Sequence, residues 1–246
     1  MLEFLRSASV LQVTLFFLLA NIVIFTSSVA LCWCLGRWFG TRRIFDRWEP
    51  LRPVEMAAAL GAVVLNSFVS VGGWFLWTRD IIVLKDTGIL RAAADCIVMV
   101  LSMDLGMYVF HRAAHLSWVY RWLHRFHHRH ETTNPISLFV LHPAEVIGFG
   151  ALMILFLTAY PMSTEGLVAY LSLNVLFGTL GHSGVEPFPA AWGKVPLLRL
   201  LGTSTFHAEH HEHPKYNFGF YTLLWDKLFG TLDPDYERRF RQDTTE

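Results

Sequence analysis

Long apolar runs separated by short polar segments make up the first half of this chain. Val10 to Leu35 is nearly unbroken apolar sequence, interrupted by Gln12, Asn21 and small hydroxyl residues, and it exceeds the roughly 20 residues a helix needs to cross a bilayer. Val54 to Trp77 is a second such run, opened by Pro53, whose missing N–H costs nothing in a first helical turn. Ala92 to Phe110 is a third, with Asp95 and Asp104 breaking the apolar pattern. Leu141 to Tyr160 and Gly166 to Leu180 flank a turn at Pro161; each is near the lower limit for a span, and together they read as a helical hairpin that enters the membrane and returns to the same side. The pattern predicts an all-α integral membrane protein with about four transmembrane helices (two long spans, a third span and a helical hairpin) and a cytoplasmic histidine-rich cap.

Composition agrees, with 53% hydrophobic and only 16% charged residues. Twenty basic against twenty acidic residues leave no basic signature for nucleic acid. Cys32, Cys34 and Cys96 lie in apolar runs without a second cysteine pair, so they are expected to be buried, inert thiols. The first run reads as a membrane anchor, not a cleavable leader. Arg37, Arg42, Arg43, Arg47 and Arg52 outnumber Asp46, Glu49 and Glu55 in the connector after it, which puts that connector in the cytoplasm. Trp33, Trp38 and Trp48 there, and Trp118, Tyr120 and Trp122 further on, suit a membrane interface. The third run then ends on the cytoplasmic side and the hairpin returns to it. Lys194 to Leu201 reads as a short interfacial helix. The chain divides into anchor helices and connectors (1–91), a catalytic domain (92–235) and a charged, frayed tail (236–246).

The chemistry lies in histidines. Six of the twelve fall within His111–His130, as His111-x-x-x-His115, His124-x-x-His127-His128 and His130. The longer pattern recurs as His207-x-x-His210-His211. At this histidine frequency a given His-x-x-His-His frame is expected about 0.03 times by chance, and it occurs twice. On an α-helix, positions i, i+3 and i+4 share a face, so each box would present a compact imidazole cluster. Asp104, Tyr108, His111 and His115 would share one stripe of the third helix. Neutral imidazole suits iron, zinc and copper. Eight imidazoles exceed the four ligands of a tetrahedral ion, so two ions sharing eight to ten histidines is the economical arrangement. His130 and His213 fall off the stripes and are expected behind the ligands or at the surface. Ligating histidines donate their other N–H to an acceptor; Asp104, Glu145, Glu209 and Asp226 are the nearest carboxylates, and Asp104, inside a span, has the best claim. Arg112, Arg121, Arg125 and Arg129 are a solvated face, or a site for headgroups or an acidic electron donor. A histidine-rich membrane metal-binding or metal-transport protein without redox catalysis is the alternative reading; transport would place ligands at mid-membrane in several spans.

Further motifs accompany the boxes: Asp104-x-x-x-Tyr108, His142-Pro-x-Glu145, Gly181-His182-Ser183-Gly184, Tyr216-Asn217-Phe218-Gly219 and Trp225-Asp226-x-Leu228-Phe229-Gly230-Thr231. With them the chain resembles the fatty acid hydroxylase/sterol desaturase superfamily of membrane histidine-box di-iron oxygenases, over the region from Asp95 to about the end of the catalytic domain. The resemblance implies hydroxylation or desaturation of a lipid or sterol-like substrate from the bilayer. It implies two iron ions (with zinc as a substitute in preparations), O2 as co-substrate, and a separate electron donor of ferredoxin or cytochrome type with its reductase. Carried over by position, the eight box histidines are the iron ligands and His182 a ninth; His142 is a tenth or a group behind the ligands. Asp104, Tyr108, Glu145 and Asp226 are the polar groups expected around them. Some family members carry another histidine four residues before the His182 position, where this chain has Gly178. Asn174 could serve there through its amide or a water, or in helix packing.

Overall fold

A computed structural model describes residues 2–45, 48, 50–129 and 132–242. After a short helix α1 (Leu2–Ser7), three long helices follow: α2 (Val10–Trp38), α3 (Pro53–Thr78) and α4 (Ile89–Ala114). Among the described residues these three are long and apolar enough to cross a membrane. Local chemistry sets their starts. Ser9 and Gln12 form a reciprocal capping box ahead of α2, and the Glu55 carboxylate accepts the Arg52 N–H (3.0 Å) at the Pro53 start of α3. Thr14, Asn21 and Thr26, which interrupt the first apolar run, bond back to carbonyls four residues earlier, so these three polar side chains are satisfied within the helix.

The hairpin consists of α6 (Pro143–Ala159) and α7 (Thr164–Gly181), and α6 rises only about 26 Å. Glycines bring it close to its neighbours: a Cβ on Gly150 would lie 2.5 Å from Val69 of α3, and one on Gly148 would lie 2.5 Å from Phe110 of α4. At the end far from the histidines, β1 (Leu84–Lys85) pairs in parallel with β2 (Met162–Ser163). Asp95 pins that turn, accepting from Ser163 N (2.7 Å) and Tyr160 O–H (2.8 Å) and pairing with Arg91 (2.8 Å). The bundle interior between the two ends contains Met99, Met103, Leu157, Tyr170 and Tyr221.

At the opposite end α4 and α7 terminate and α6 begins, and the remaining chain closes over them. The elements there are α5 (Ser117–Val119), α8 (Ser204–Glu212), α9 (Leu224–Phe229) and α10 (Tyr236–Gln242). The connector after α2 is docked on this cap: Ile44 N donates to Gly184 O (3.1 Å), Glu186 N to Arg42 O (3.0 Å) and Trp48 Nε1 to Ser183 O (3.1 Å). Asp46, Arg47 and Glu49 of that connector lie outside the described residues.

Three expectations change. The stretch around Lys194–Leu201 is two 3-10 turns, Ala190–Lys194 and Leu198–Leu200, because Pro196 lacks an N–H and bars the α conformation before it. The segment from residue 236 is not frayed throughout: α10 buries Tyr236 and Phe240 against Phe206 and Leu223, while residues 243–246 lie outside the described set. Cys32 and Cys96 are buried free thiols, but Cys34 is exposed on the outward face of α2.

Candidate metal centre

Nine imidazoles converge at the cap in two groups. One comprises His111, His115, His124, His128 and His210; the other comprises His127, His182, His207 and His211. Within each group the ligating atoms lie within 4.8 Å of one another. His111 comes from the last turn of α4 and His115 caps it, His182 caps α7, and the third box lies on α8. The second box is not on an α-helix as its spacing suggested. It runs from α5 through a π turn, Tyr120–His124, closed by Arg125 N donating to Tyr120 O (2.8 Å), into a 3-10 turn, His127–Arg129. Such widened turns recur at functional sites.

Both long boxes are shared between the groups in the same way. The outer histidines, His124 and His128 in one and His207 and His211 in the other, stay together, and the middle ones, His127 and His210, cross over. On α8 the reason is angular: at about 100° per residue, i and i+4 differ by about 40°, whereas i+3 lies about 60° to the other side.

The hydrogen bonds determine which ring nitrogens face inward. Nδ1 of His111 meets Phe218 O (3.0 Å), that of His127 meets Val140 O (3.2 Å), that of His182 meets Gly178 O (2.8 Å) and that of His210 meets Tyr216 O (2.6 Å). A carbonyl oxygen only accepts, so these Nδ1 atoms carry the proton and the Nε2 lone pairs are free. His124 Nδ1 is bonded to the buried carboxyl of Glu145. Inside the groups Nε2 atoms then stand against one another, His111 to His124 at 3.1 Å, His128 to His210 at 3.0 Å and His182 to His207 at 3.1 Å. The inward-facing Nε2 of His115 is buried without a hydrogen-bond partner among the described residues. Burial, reinforced by neighbouring histidines, holds His115, His124, His128, His207 and His210 well below the ordinary imidazole pKa and therefore neutral. Neutral imidazoles with lone pairs converging in a buried space are the donor set of a transition-metal ion, and two groups suit two ions.

Of the four carboxylates considered, Glu145 touches a clustered imidazole directly. Asp104 does not, contrary to the sequence expectation. It accepts from Tyr221 N (2.8 Å) and Thr222 N (3.3 Å) and from the Thr222 hydroxyl, anchoring the segment whose Phe218 carbonyl orients His111. Asp226 works on the same segment, accepting from Phe218 N (2.8 Å) and Gly219 N (2.7 Å). A Cβ on Gly219 would lie 2.8 Å from that carboxylate and 2.4 Å from Thr222 O, so this tight turn requires glycine. Tyr108 bonds Thr231 Oγ1 (3.0 Å) and receives Arg112 (3.1 Å) instead of meeting an imidazole. Glu209 lies 3.6 Å from Arg239.

His142 lies outside both groups; it caps α6, its Nδ1 accepting from Ala144 N (3.2 Å). His213 is half-exposed beside Asp233 (3.7 Å), and His130 lies outside the described residues. Asn174 is engaged by Tyr221, not by the imidazoles. Three groups hold places beside the centre that the sequence reading did not give them. Tyr120 turns its ring toward His115 (5.3 Å) and His128 (5.8 Å), Phe218 packs against His115 (5.3 Å) and His210 (5.6 Å), and buried Glu186 accepts from Thr205 N (2.9 Å) and Oγ1 (2.8 Å) at the start of α8. Glu186, an acid in the apolar stretch after Gly184, was the available signal for the last.

The family profile described as fatty acid hydroxylase matches residues 96–231, the segment that contains all nine clustered histidines. The chain belongs to the fatty acid hydroxylase family. It is 30% identical over 168 residues to a cholesterol 25-hydroxylase-like protein of Danio rerio, covering 67% of this chain and 65% of that protein. It is 35% identical over 133 residues to a very-long-chain aldehyde decarbonylase of Oryza sativa subsp. indica, covering 51% and 21%. It is 28% identical over 193 residues to a Delta(7)-sterol 5(6)-desaturase of Eremothecium gossypii, covering 75% and 52%. The chain thus spans less than two thirds of the length of each of these relatives. No solved structure matches it.

Proposed function

We propose that this chain is a membrane-bound di-iron oxygenase that hydroxylates or desaturates a lipid or sterol-like substrate, using O2 and electrons from a separate ferredoxin- or cytochrome-type donor. The observation that carries the reading is the convergence of nine imidazoles in two groups within a fatty acid hydroxylase family chain. Iron held by these two groups supplies the O2-dependent oxidation of a C–H bond; zinc, which has no redox chemistry, can occupy the same donors without supporting it. The protein's part is to orient and to exclude water. Backbone carbonyls at Val140, Gly178, Tyr216 and Phe218 and the Glu145 carboxyl lock the rings from outside. Burial of His124, His127, His128, His182, His210 and His211 keeps the centre dry.

In this reading α2, α3 and α4 cross the bilayer, the α6–α7 pair enters it as a hairpin, and the arginine-rich connector docked on the cap puts the centre on the cytoplasmic face. A lipid chain then approaches from the bilayer between the helices. Comparative lipidomics of cells with and without the chain tests this. The expected result is a lipid gaining one oxygen or losing two hydrogens, abolished by His128→Ala. A change in cellular metal content alone overturns the oxygenase reading in favour of metal handling.

A further inference from the structure

Helix α9 belongs to the cap, yet it lies at membrane depth. Helix α4 rises about 39 Å over its 26 residues, about 9 Å more than the hydrocarbon layer of a bilayer. Asp104 stands ten residues before the end of α4 at Ala114, about 15 Å down the helix. Even with the whole excess protruding at the histidine end, Asp104 is inside the hydrocarbon layer. The chain returns to that level after the third box. Asp104 accepts from Tyr221 N (2.8 Å) and Thr222 N (3.3 Å), and the Tyr221 hydroxyl reaches Tyr170 of α7 (3.0 Å), about 18 Å before His182 along that helix. From there α9 climbs beside α4: the Thr222 hydroxyl accepts Leu224 N (3.2 Å) at its start, Phe229 stacks on Tyr108 (5.4 Å), and Thr231 Oγ1 meets the Tyr108 hydroxyl (3.0 Å).

What α9 turns outward is apolar. Leu228 is 66% exposed and Phe229 49%, and exposed Leu224 shares a face with Leu228 one turn on. The stretch before the third box is held against this region, Leu223 N donating to Leu200 O (2.8 Å) and Gly202 N to Tyr221 O (2.8 Å). Although it is not α-helical, it exposes Leu197 to 78%. At the levels of Asp104 and Tyr108, α4 itself exposes Leu105 and Val109. The α9 main chain is closed, Lys227 N donating to Leu223 O (3.0 Å) and Thr231 N to Asp226 O (2.8 Å), as hydrocarbon requires. Lys194, Arg199 and Lys227 are exposed around the patch, long cations that lay their stems on apolar surface and extend their charge to headgroups. We infer that α9 and the 195–197 stretch are immersed in the bilayer leaflet on the cap side, with Leu197, Leu224, Leu228 and Phe229 among the acyl chains and the three cations at the headgroups. The cap edge is then a monotopic membrane element, not a surface standing in water. The inference rests on the reading that α4 crosses the bilayer, and not on the oxygenase chemistry.

The test uses the full chain in phosphatidylcholine nanodiscs, with Cys34→Ser removing the exposed thiol. Nitroxide labels are placed singly through Leu228→Cys, Leu197→Cys, Leu105→Cys on α4 and Glu237→Cys on α10. Each label's collision rates with O2, which dissolves in hydrocarbon, and with a water-soluble nickel chelate are compared, and circular dichroism checks that each labelled chain is folded. The oxygen-to-nickel ratio at 228 and 197 is expected to match that at 105 and to exceed that at 237 about tenfold, the exclusion of a polar solute from hydrocarbon. Leu224→Cys, one turn earlier on the same face, replaces Leu228→Cys if the latter disturbs the fold. A label on α9 as open to nickel as the one at 237, while 105 is in lipid, overturns the inference. A label at 105 open to nickel removes the membrane-crossing reading of α4, and the inference with it.

Discussion

The second and third histidine boxes have the same spacing but different backbones. His207, His210 and His211 lie on a regular helix started by Thr203, whose hydroxyl accepts Phe206 N, and by Glu186. His124, His127 and His128 lie on a π turn followed by a 3-10 turn. Both nonetheless send their outer pair to one group and their middle imidazole to the other. The shared pattern therefore does not depend on a shared helix. What the two boxes have in common is support from outside the ring: the middle histidine of each donates Nδ1–H to a carbonyl of a neighbouring loop, Val140 for His127 and Tyr216 for His210. Crossing over ties the groups together, since each box contributes to both.

The comparison breaks most visibly when an outer pair is removed. His207→Ala with His211→Ala leaves His127 and His182 in the smaller group, and metal analysis should fall from about two ions per chain to about one. His124→Ala with His128→Ala leaves three imidazoles in the larger group and should weaken the other ion. Loss of both ions in both double variants would mean that the two groups do not bind independently. Next in size is the contrast between two buried acids. Glu145→Gln acts on His124 directly and should weaken metal binding by about 10- to 100-fold in chelator competition. Asp104→Asn should spare metal content and lower stability by about 1.5–3 kcal/mol, the worth of hydrogen bonds to a charged group, read from the unfolding temperature. The smallest effect is expected from His142→Ala: about 1 kcal/mol for a lost helix cap, with metal content unchanged.

Much of the centre was legible from the chain. The nine clustered histidines are the eight of the boxes together with His182, because imidazole is rare enough that repeated close spacing carries information. The carboxylates were less legible. Asp104 stands on the same helical stripe as His111, yet it is turned to the 221–222 segment. Glu145 begins a different helix and meets His124, 21 residues earlier in the chain. Spacing along a helix says which side chains share a face, not what packs against that face. The expected interfacial helix failed for a local reason, Pro196. The end of the chain was misread for a tertiary one, since the charged residues of α10 accompany Tyr236 and Phe240, which the cap buries.

By itself, then, the sequence determined the long apolar helices, through runs whose length and composition leave few alternatives, and singled out the histidines that cluster. Only the tertiary structure decided how those histidines divide into five and four, which carboxyl backs them, and that Tyr170, Tyr221 and Asn174 form one chain. These outcomes depend on contacts between segments far apart in the chain, such as His128 with His210 at 3.0 Å. Such contacts are set by how elements pack against one another, and no periodicity within a single element encodes them.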